Sequence, residues 1–144
     1  MDIQICNYKH ECFLGLSNLL KSVYSSHIEQ RDLEEKYITE NRSIIIAIFE
    51  NQVVGCMFLE VLEDFIRPNR FLYVTYVAVD EKKRKNGIGK RMMLEAEKIC
   101  KKNKCSAIEL TSANFRSEAH AFYESLGFTK KNTTHFVKEI LNRY

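Results

Sequence analysis

The sequence predicts an α+β fold, a mixed and mostly antiparallel central sheet with helices on both faces. Three observations carry that prediction. An apolar run at residues 71–79 leads into a loop with two glycines, a helix-like segment at 88–102 and a β-forming stretch at 106–110. Strand, helix, strand implies a parallel pair with a right-handed crossover. Two β-forming runs, 43–49 and 52–61, flank Glu50-Asn51. They read as an antiparallel hairpin, with Asn51 suited to positive φ. Phe13, Leu16, Leu20 and Val23 fall on one stripe of an amphipathic helix over about 10–25.

The remaining elements follow in chain order. Residues 3–6 alternate and form a first strand. Residues 32–38 read as a short second helix with acids in its first turn. A loop at 62–69 carries the single proline, Pro68. The run at 71–79 is apolar on both faces, as in a central strand. Helix signals return at about 116–126, with Ala119, Phe122 and Leu126 on one face and Gly127 at the C-cap. Two extended pieces, near Phe128 and at 133–140, close the chain. No repeat or linker interrupts residues 1–144, which read as one domain.

Composition narrows the function classes. The hydrophobic content is 45% and no apolar stretch is long enough to span a membrane. The N-terminus lacks the basic-then-apolar layout of a signal peptide, so a cytoplasmic protein without a membrane partner is expected. Cys6, Cys12, Cys56, Cys100 and Cys105 are odd in number and form no CxxC pair. That points to reduced, partly buried thiols rather than a disulfide framework. His10, His27 and His135 have no ligand spacing, and no metal site is expected.

The net charge of +3 hides an asymmetry. Between Lys82 and Lys104 stand ten basic residues against two acids, Glu95 and Glu97, while the rest of the chain is net acidic. Lys98, Lys101, Lys102 and Lys104 read as a solvated helix face. Lys82, Lys83, Arg84, Lys85, Lys90 and Arg91 instead crowd a helix start, where the dipole disfavours cations. A bound anion would offset that cost. Nucleic acid is not expected, because no aromatic residue interleaves the run to stack on bases.

The loop Arg84-Lys85-Asn86-Gly87-Ile88-Gly89-Lys90 is thus a candidate phosphate grip. Amides at a helix start lack intrahelical partners and face an anion, and glycines let the backbone come close. The P-loop pattern fails, since Arg91 follows Gly89-Lys90 and no glycine stands five residues before Gly89. The dinucleotide pattern fails because Met92 stands where its third glycine belongs.

In context, Val77-Ala78-Val79-Asp80 followed by Arg84-x-x-Gly87-x-Gly89 resembles the acetyl-CoA loop of the Gcn5-related N-acetyltransferase (GNAT) superfamily. A second stretch, Ala119-His120-Ala121-Phe122-Tyr123-Glu124-Ser125-Leu126-Gly127-Phe128, is similar to that family's A-x-x-F/L-Y-x-x-x-G-F signature. The resemblance covers roughly residues 43–140. It implies the acyl-CoA N-acyltransferase fold, in which the parallel strand pair splays apart. It also implies acetyl-CoA as co-substrate and transfer of its acetyl group to a primary amine by direct attack.

By the same resemblance, the amides of Arg84, Lys85, Asn86, Gly87, Ile88, Gly89 and Lys90 hold the pyrophosphate. Lys82, Lys83, Lys85 and Arg91 are candidates for outer phosphates. The strand edge Val77, Ala78 and Val79 pairs with the pantetheine arm, and the Val77 N–H polarises the thioester carbonyl. Tyr123 matches the family's proton donor to the leaving thiolate; its plainer reading is packing beside Phe122. Asn114 and Arg116 are candidate cofactor contacts, with Asn114 as a turn or N-cap residue the alternative. His120 is expected to face solvent. Many relatives carry a glutamate on the fourth strand; Tyr76 stands there, beside Thr75, so the general base stays unassigned, with Glu60 and Glu109 as acids able to act through water.

The tail looks most like that of small-molecule enzymes, such as aminoalkylphosphonate and aminoglycoside acetyltransferases, and a polyamine acceptor also fits. Glu60, Glu63 and Asp64 suit a cationic amine, and Arg67 and Arg70 an anionic group. A protein or peptide acceptor, or a non-catalytic acyl-CoA-binding module, are the alternatives. An edge strand at 133–140 would be able to pair across a homodimer.

Overall fold

A computed structural model describes residues 2–141. The chain forms two compact units, Met1–Thr111 and Ser112–Tyr144. The first holds a five-stranded sheet in the order β1-β2-β3-β4-β5. Its strands are β1 (Gln4–Asn7), β2 (Arg42–Phe49), β3 (Gln52–Asp64), β4 (Asn69–Val79) and β5 (Ala107–Leu110). The first three pairings are antiparallel and β4–β5 is parallel, which is the mixed sheet expected.

Helices α1 (Phe13–Tyr24) and α2 (Gln30–Tyr37) precede the hairpin, and α3 (Ile88–Lys102) joins β4 to β5. Side chains alternate across a strand, so each strand feeds two cores. Ile44, Ile46, Cys56, Phe58 and Ala78 pack with Leu16, Leu19, Leu20 and Leu33 of α1 and α2. Gly55, one residue out of phase, lies on the opposite face beneath α3. A Cβ added there would stand 2.9 Å from Ile88 Cγ2 and 3.2 Å from Met92 Cε. Ile88, Met92, Met93, Ala96 and Cys100 make the buried stripe of α3, and burying each large side chain contributes about 1.5–3 kcal/mol.

Glu50 and Asn51 both take positive φ, 49° and 61°, the geometry of a tight hairpin turn between β2 and β3. The second hairpin is longer than its sequence suggests. The loop expected at 62–69 shrinks to four residues, because β3 runs on to Asp64 and β4 begins at Asn69. Cross-strand pairs Glu63–Arg70 and Leu62–Phe71 extend the ladder, and an ion pair of 3.1 Å joins Arg70 to Glu63.

Two bulges break the regular pairing. One lies between Ala47 and Ile48 of β2, where β3 carries an extra residue, Val54. The other lies opposite Phe58 and Leu59, where Thr75 is the extra residue of β4. Bulges bend a strand and re-aim its side chains.

The second unit contains α4 (Ser117–Ser125), followed by Gly127 at φ 96°. The extended pieces expected near Phe128 and at 133–140 are not strands. Residues 129–140 are exposed and join no ladder. An extended run becomes a strand only where a neighbouring edge takes its N–H and C=O groups. The edge expected to pair across a homodimer is therefore not there. Among the described residues no helix is long and apolar enough to cross a membrane.

Candidate active site

The glycine loop is tied down mainly by its own backbone. The Asp80 carboxylate accepts from the Lys82 N–H at 3.1 Å and starts a 3₁₀ turn, Glu81–Lys83. Asn86 Nδ2 donates back to the carbonyls of Lys83 (2.9 Å) and Arg84 (3.2 Å). Lys85 is left-handed at φ 66°, uncommon for a non-glycine residue, and Gly87 follows at φ 77°. The Arg91 N–H makes the bond that opens α3, to the Gly87 carbonyl at 3.0 Å. The amides of Ile88, Gly89 and Lys90 therefore lack an intrahelical acceptor, and no side chain caps them.

Three amides at the positive end of a fifteen-residue helix form an anion cradle. A Cβ on Gly87 would meet nothing within 4 Å, so the space over the loop is open. Lys82, Arg84, Lys85, Lys90 and Arg91 are exposed around it. Lys83 Nζ lies 5.2 Å from the Phe49 ring centroid. Among the described residues none of these six cations is ion-paired. Such a cradle suits the phosphates of a coenzyme. Ile88 enters it by its backbone only, since its side chain is buried.

Strand β4 leads into this loop with half of one edge open. Its pairing with β5 covers Phe71 to Val74 and stops there. The Asp80 N–H donates to the Val54 carbonyl at 2.8 Å. Backbone groups alternate sides along a strand, so Ala78 also turns to β3, while Val77 and Val79 turn away from it. The splayed pair expected from the sequence is thus a β4 edge at Val77 and Val79 beyond the end of β5. Ala78 is buried and supports that edge rather than lining it. The Tyr24 hydroxyl donates to the Val77 carbonyl at 2.8 Å.

Beside this edge lies a pocket of about 180 Å³, lined by Tyr37, Arg42, Ser43, Phe58, Leu59, Glu60, Thr75 and Tyr76. Its aromatic wall, Tyr37, Phe58 and Tyr76, is part of a chain of edge-on rings that continues to Tyr24. Tyr24 meets Tyr76 at 5.5 Å, Tyr76 meets Phe58 at 5.9 Å, and Phe58 meets Tyr37 at 5.7 Å. At the other end the Arg42 guanidinium lies 5.5 Å from the Tyr37 ring centroid. Arg42 Nε stands 3.3 Å from Glu60 Oε1, and Nη1 donates to the Lys36 carbonyl at 3.0 Å. Tyr76 is 52% exposed and belongs to this wall. Glu109 is exposed on β5. Sequence reasoning singled out Glu60 but missed Tyr24, Tyr37, Arg42 and Phe58. The only signal for Arg42 and Phe58 is strand phase: each is two residues from Ile44 or Cys56 on the same face.

The remaining candidates belong to the second unit. Tyr123 sits on α4 between Phe122 and Phe128, with ring centroids 5.5 and 5.8 Å away. Burial pushes its hydroxyl above the ordinary tyrosine range, and the Arg116 charge pulls the other way. Asn114 and Arg116 are exposed. Arg116, not Asn114, occupies the N-cap position of α4, and its side chain makes no capping bond. His120 is half-buried rather than solvated, and its Nε2–H donates to the Ala113 carbonyl at 2.9 Å. Among the described residues no group of His, Cys, Asp and Glu is placed to hold a metal.

The model of the Acetyltransferase (GNAT) family matches residues 8–128. N-acetyltransferase family 8 member 3 of Mus musculus is 23% identical over 131 residues, covering 86% of this chain and 58% of that protein. N-acetylaspartate synthetase of Danio rerio is 28% identical over 109 residues, covering 75% of this chain and 37% of that protein. The chain thus spans from just over a third to under three-fifths of the length of these curated relatives. An aminoglycoside acetyltransferase from an uncultured soil metagenomic sample, solved in complex with sisomicin, superposes with a TM-score of 0.85 at 20% identity. That match covers 96% of this chain and 97% of the other.

Proposed function

The chain belongs to the acetyltransferase (GNAT) family, and we propose that it transfers the acetyl group of acetyl-CoA to a primary amine of a small molecule. The observation that carries this is the junction of β4 and α3, where a strand edge unpaired by β5 past Val74 is joined through the loop 80–87 to three uncapped helix amides. The family match runs continuously through both compact units, which supports reading residues 1–144 as one catalytic domain. All five cysteines are free thiols, which suits a reducing cytoplasm.

Bound acetyl-CoA supplies an acetyl group activated as a thioester. The amides of Ile88, Gly89 and Lys90 hold its pyrophosphate, with Arg84, Lys85, Asn86 and Gly87 shaping the cradle. Lys82, Lys83 and Arg91 neutralise the outer phosphates, and Asn114 and Arg116 are further contacts. The Val77 and Val79 edge orients the pantetheine arm, and the Val77 N–H stabilises charge growing on the carbonyl oxygen. The amine nitrogen forms its bond to the acetyl carbon as the carbon–sulfur bond breaks, and the amine releases a proton to solvent. Tyr123, kept protonated by burial, donates a proton to the departing sulfur.

The aminoglycoside-modifying structural neighbour supports a small acceptor. The test is release of free thiol from acetyl-CoA with a panel of amines, beside calorimetric titration with coenzyme A. Thiol release with at least one small amine is expected. Coenzyme A binding without release from any amine would instead mark a non-catalytic acyl-CoA module, and peptides as the only acceptors would mark a protein acetyltransferase.

A further inference from the structure

The pocket beside β4 has a charge arrangement that bears on the acceptor. Its polar end holds one cation and one anion, Arg42 and Glu60, 3.3 Å apart. Their side chains are 41% and 26% exposed. The pair is not closed on itself. Of the five donors of a guanidinium, Arg42 uses Nη1 on the Lys36 carbonyl. Among the described residues neither its Nη2 nor the Glu60 carboxylate is in a hydrogen bond. Both groups therefore retain hydrogen-bonding capacity toward the pocket.

Lone positive or negative ligands fit such a pair poorly. A polyamine competes with Arg42 for Glu60, and a bare anion competes with Glu60 for Arg42. A molecule carrying both charges adds no net charge to the pocket, in keeping with the charge complementarity of recognition surfaces generally. Size points the same way. The volume of about 180 Å³ equals roughly six waters at ~30 Å³ each, well below the ~300–1,000 Å³ of a pocket for a drug-sized ligand. A compact amine matches that space better than a three-ring aminoglycoside does. Along β3, Glu60 stands two positions beyond Phe58, which faces Tyr76. That spacing is about 7 Å, so a compact ligand anchored at Arg42 reaches Tyr76, next to the Val77 edge.

We infer that this pocket selects a compact primary amine that also carries an anionic group, an amino acid or an aminoalkylphosphonate. The anionic group lies on Arg42 and the amine points past Tyr76 toward Val77. The inference rests on the acetyl-transfer reading above. Its own content is the acceptor class.

The test compares, in one thiol-release assay, free amino acids, their carboxamides, matched aminoalkylphosphonates, polyamines and aminoglycosides. The carboxamide keeps the amine nitrogen and removes the negative charge. A hydrogen bond to a charged group is worth about 1.5–3 kcal/mol, so kcat/KM for the acid should exceed that for its amide by about 10- to 100-fold. The phosphonate arm tells which anionic group is preferred. Arg42→Gln should bring the acid-to-amide ratio toward one. Glu60→Gln should raise it, since Arg42 then faces the anion alone. These opposite signs separate recognition from a structural role, which would move both substrates together. The ratio is read within one preparation, so partial unfolding of either variant cancels, and the wild-type panel stands if a variant fails to fold. Amides, polyamines or aminoglycosides turning over as well as the acids would overturn the inference and leave the acetyltransferase reading in place. So would an acid-to-amide ratio that Arg42→Gln leaves unchanged. No thiol release from any amine would overturn both.

Discussion

The glycine loop and the aromatic pocket both adjoin β4 and are built from different materials. The loop is mostly backbone: two left-handed residues, three uncapped amides and an asparagine folded onto neighbouring carbonyls. The pocket brings together aromatic and charged side chains from α2, β2, β3 and β4. Backbone recognition needs specific residue types at fixed spacing, so it leaves a motif. Side-chain recognition needs only that some suitable groups meet in space. A donor held by the first and an acceptor held by the second would let one scaffold keep its coenzyme while changing its substrate.

If that division holds, changes on the donor side act on all acceptors alike. The largest effect is expected for Tyr123→Phe, a fall in kcat of about 100-fold, the lower end for general acid catalysis, with acetyl-CoA affinity nearly unchanged. Steady-state kinetics with two unrelated acceptors checks it, and unequal losses would break the comparison. Because burial raises the Tyr123 hydroxyl, it stays protonated past its ordinary pKa of about 10. Wild-type kcat should therefore not fall from loss of this proton until the pH exceeds that value.

Next is Gly87→Val, which forces a β-branched residue to φ 77°. A left-handed residue costs about 1–2 kcal/mol, so coenzyme A binding by calorimetry should weaken about tenfold. Gly87→Asn should recover much of that, because asparagine tolerates this conformation. Gly55→Ala should cost about 1–3 kcal/mol of stability by overpacking against Ile88 and Met92, read from denaturant unfolding. Tyr76→Ala sharpens the contrast from the acceptor side. Ring pairs contribute about 0.5–1.5 kcal/mol each, so the acceptor KM should rise several-fold while coenzyme A affinity stays put. The smallest effect is ionic. Raising salt should weaken coenzyme A binding, since the loop's cations are exposed and screened, and leave the KM of a zwitterionic acceptor nearly level.

The same division explains what the sequence made legible. The β4–loop–α3 unit was readable because each part has a local cause: apolar strand, glycine at positive φ, amphipathic stripe. The parallel partner at 107–110 followed from chain handedness. The pocket was hidden by the two bulges. Counting back from the Glu50–Asn51 turn without a bulge pairs Arg42 with Leu59, on the wrong face. The extra residue Val54 shifts the register by one and sets Arg42 against Glu60. Nothing in the composition of residues 47–54 announces that shift. The extended piece expected at 133–140 is absent for a related reason. Its β-forming residues satisfy propensity, but a strand also needs a partner, and propensity does not supply one. The bond of His120 to the Ala113 carbonyl left no trace in the sequence because its acceptor is backbone.

The contact between Gly55 and the first turn of α3 has a mechanical consequence. Strand β3 touches the helix start at Gly55 and carries Glu60 at the far end of the pocket, five residues on. At about 3.4 Å per residue, one continuous strand spaces the two ends by about 17 Å. β3 therefore works as a ruler between the two binding regions. Inserting or deleting a single residue between Gly55 and Glu60 would change its length by one graduation and also flip which face reads the scale.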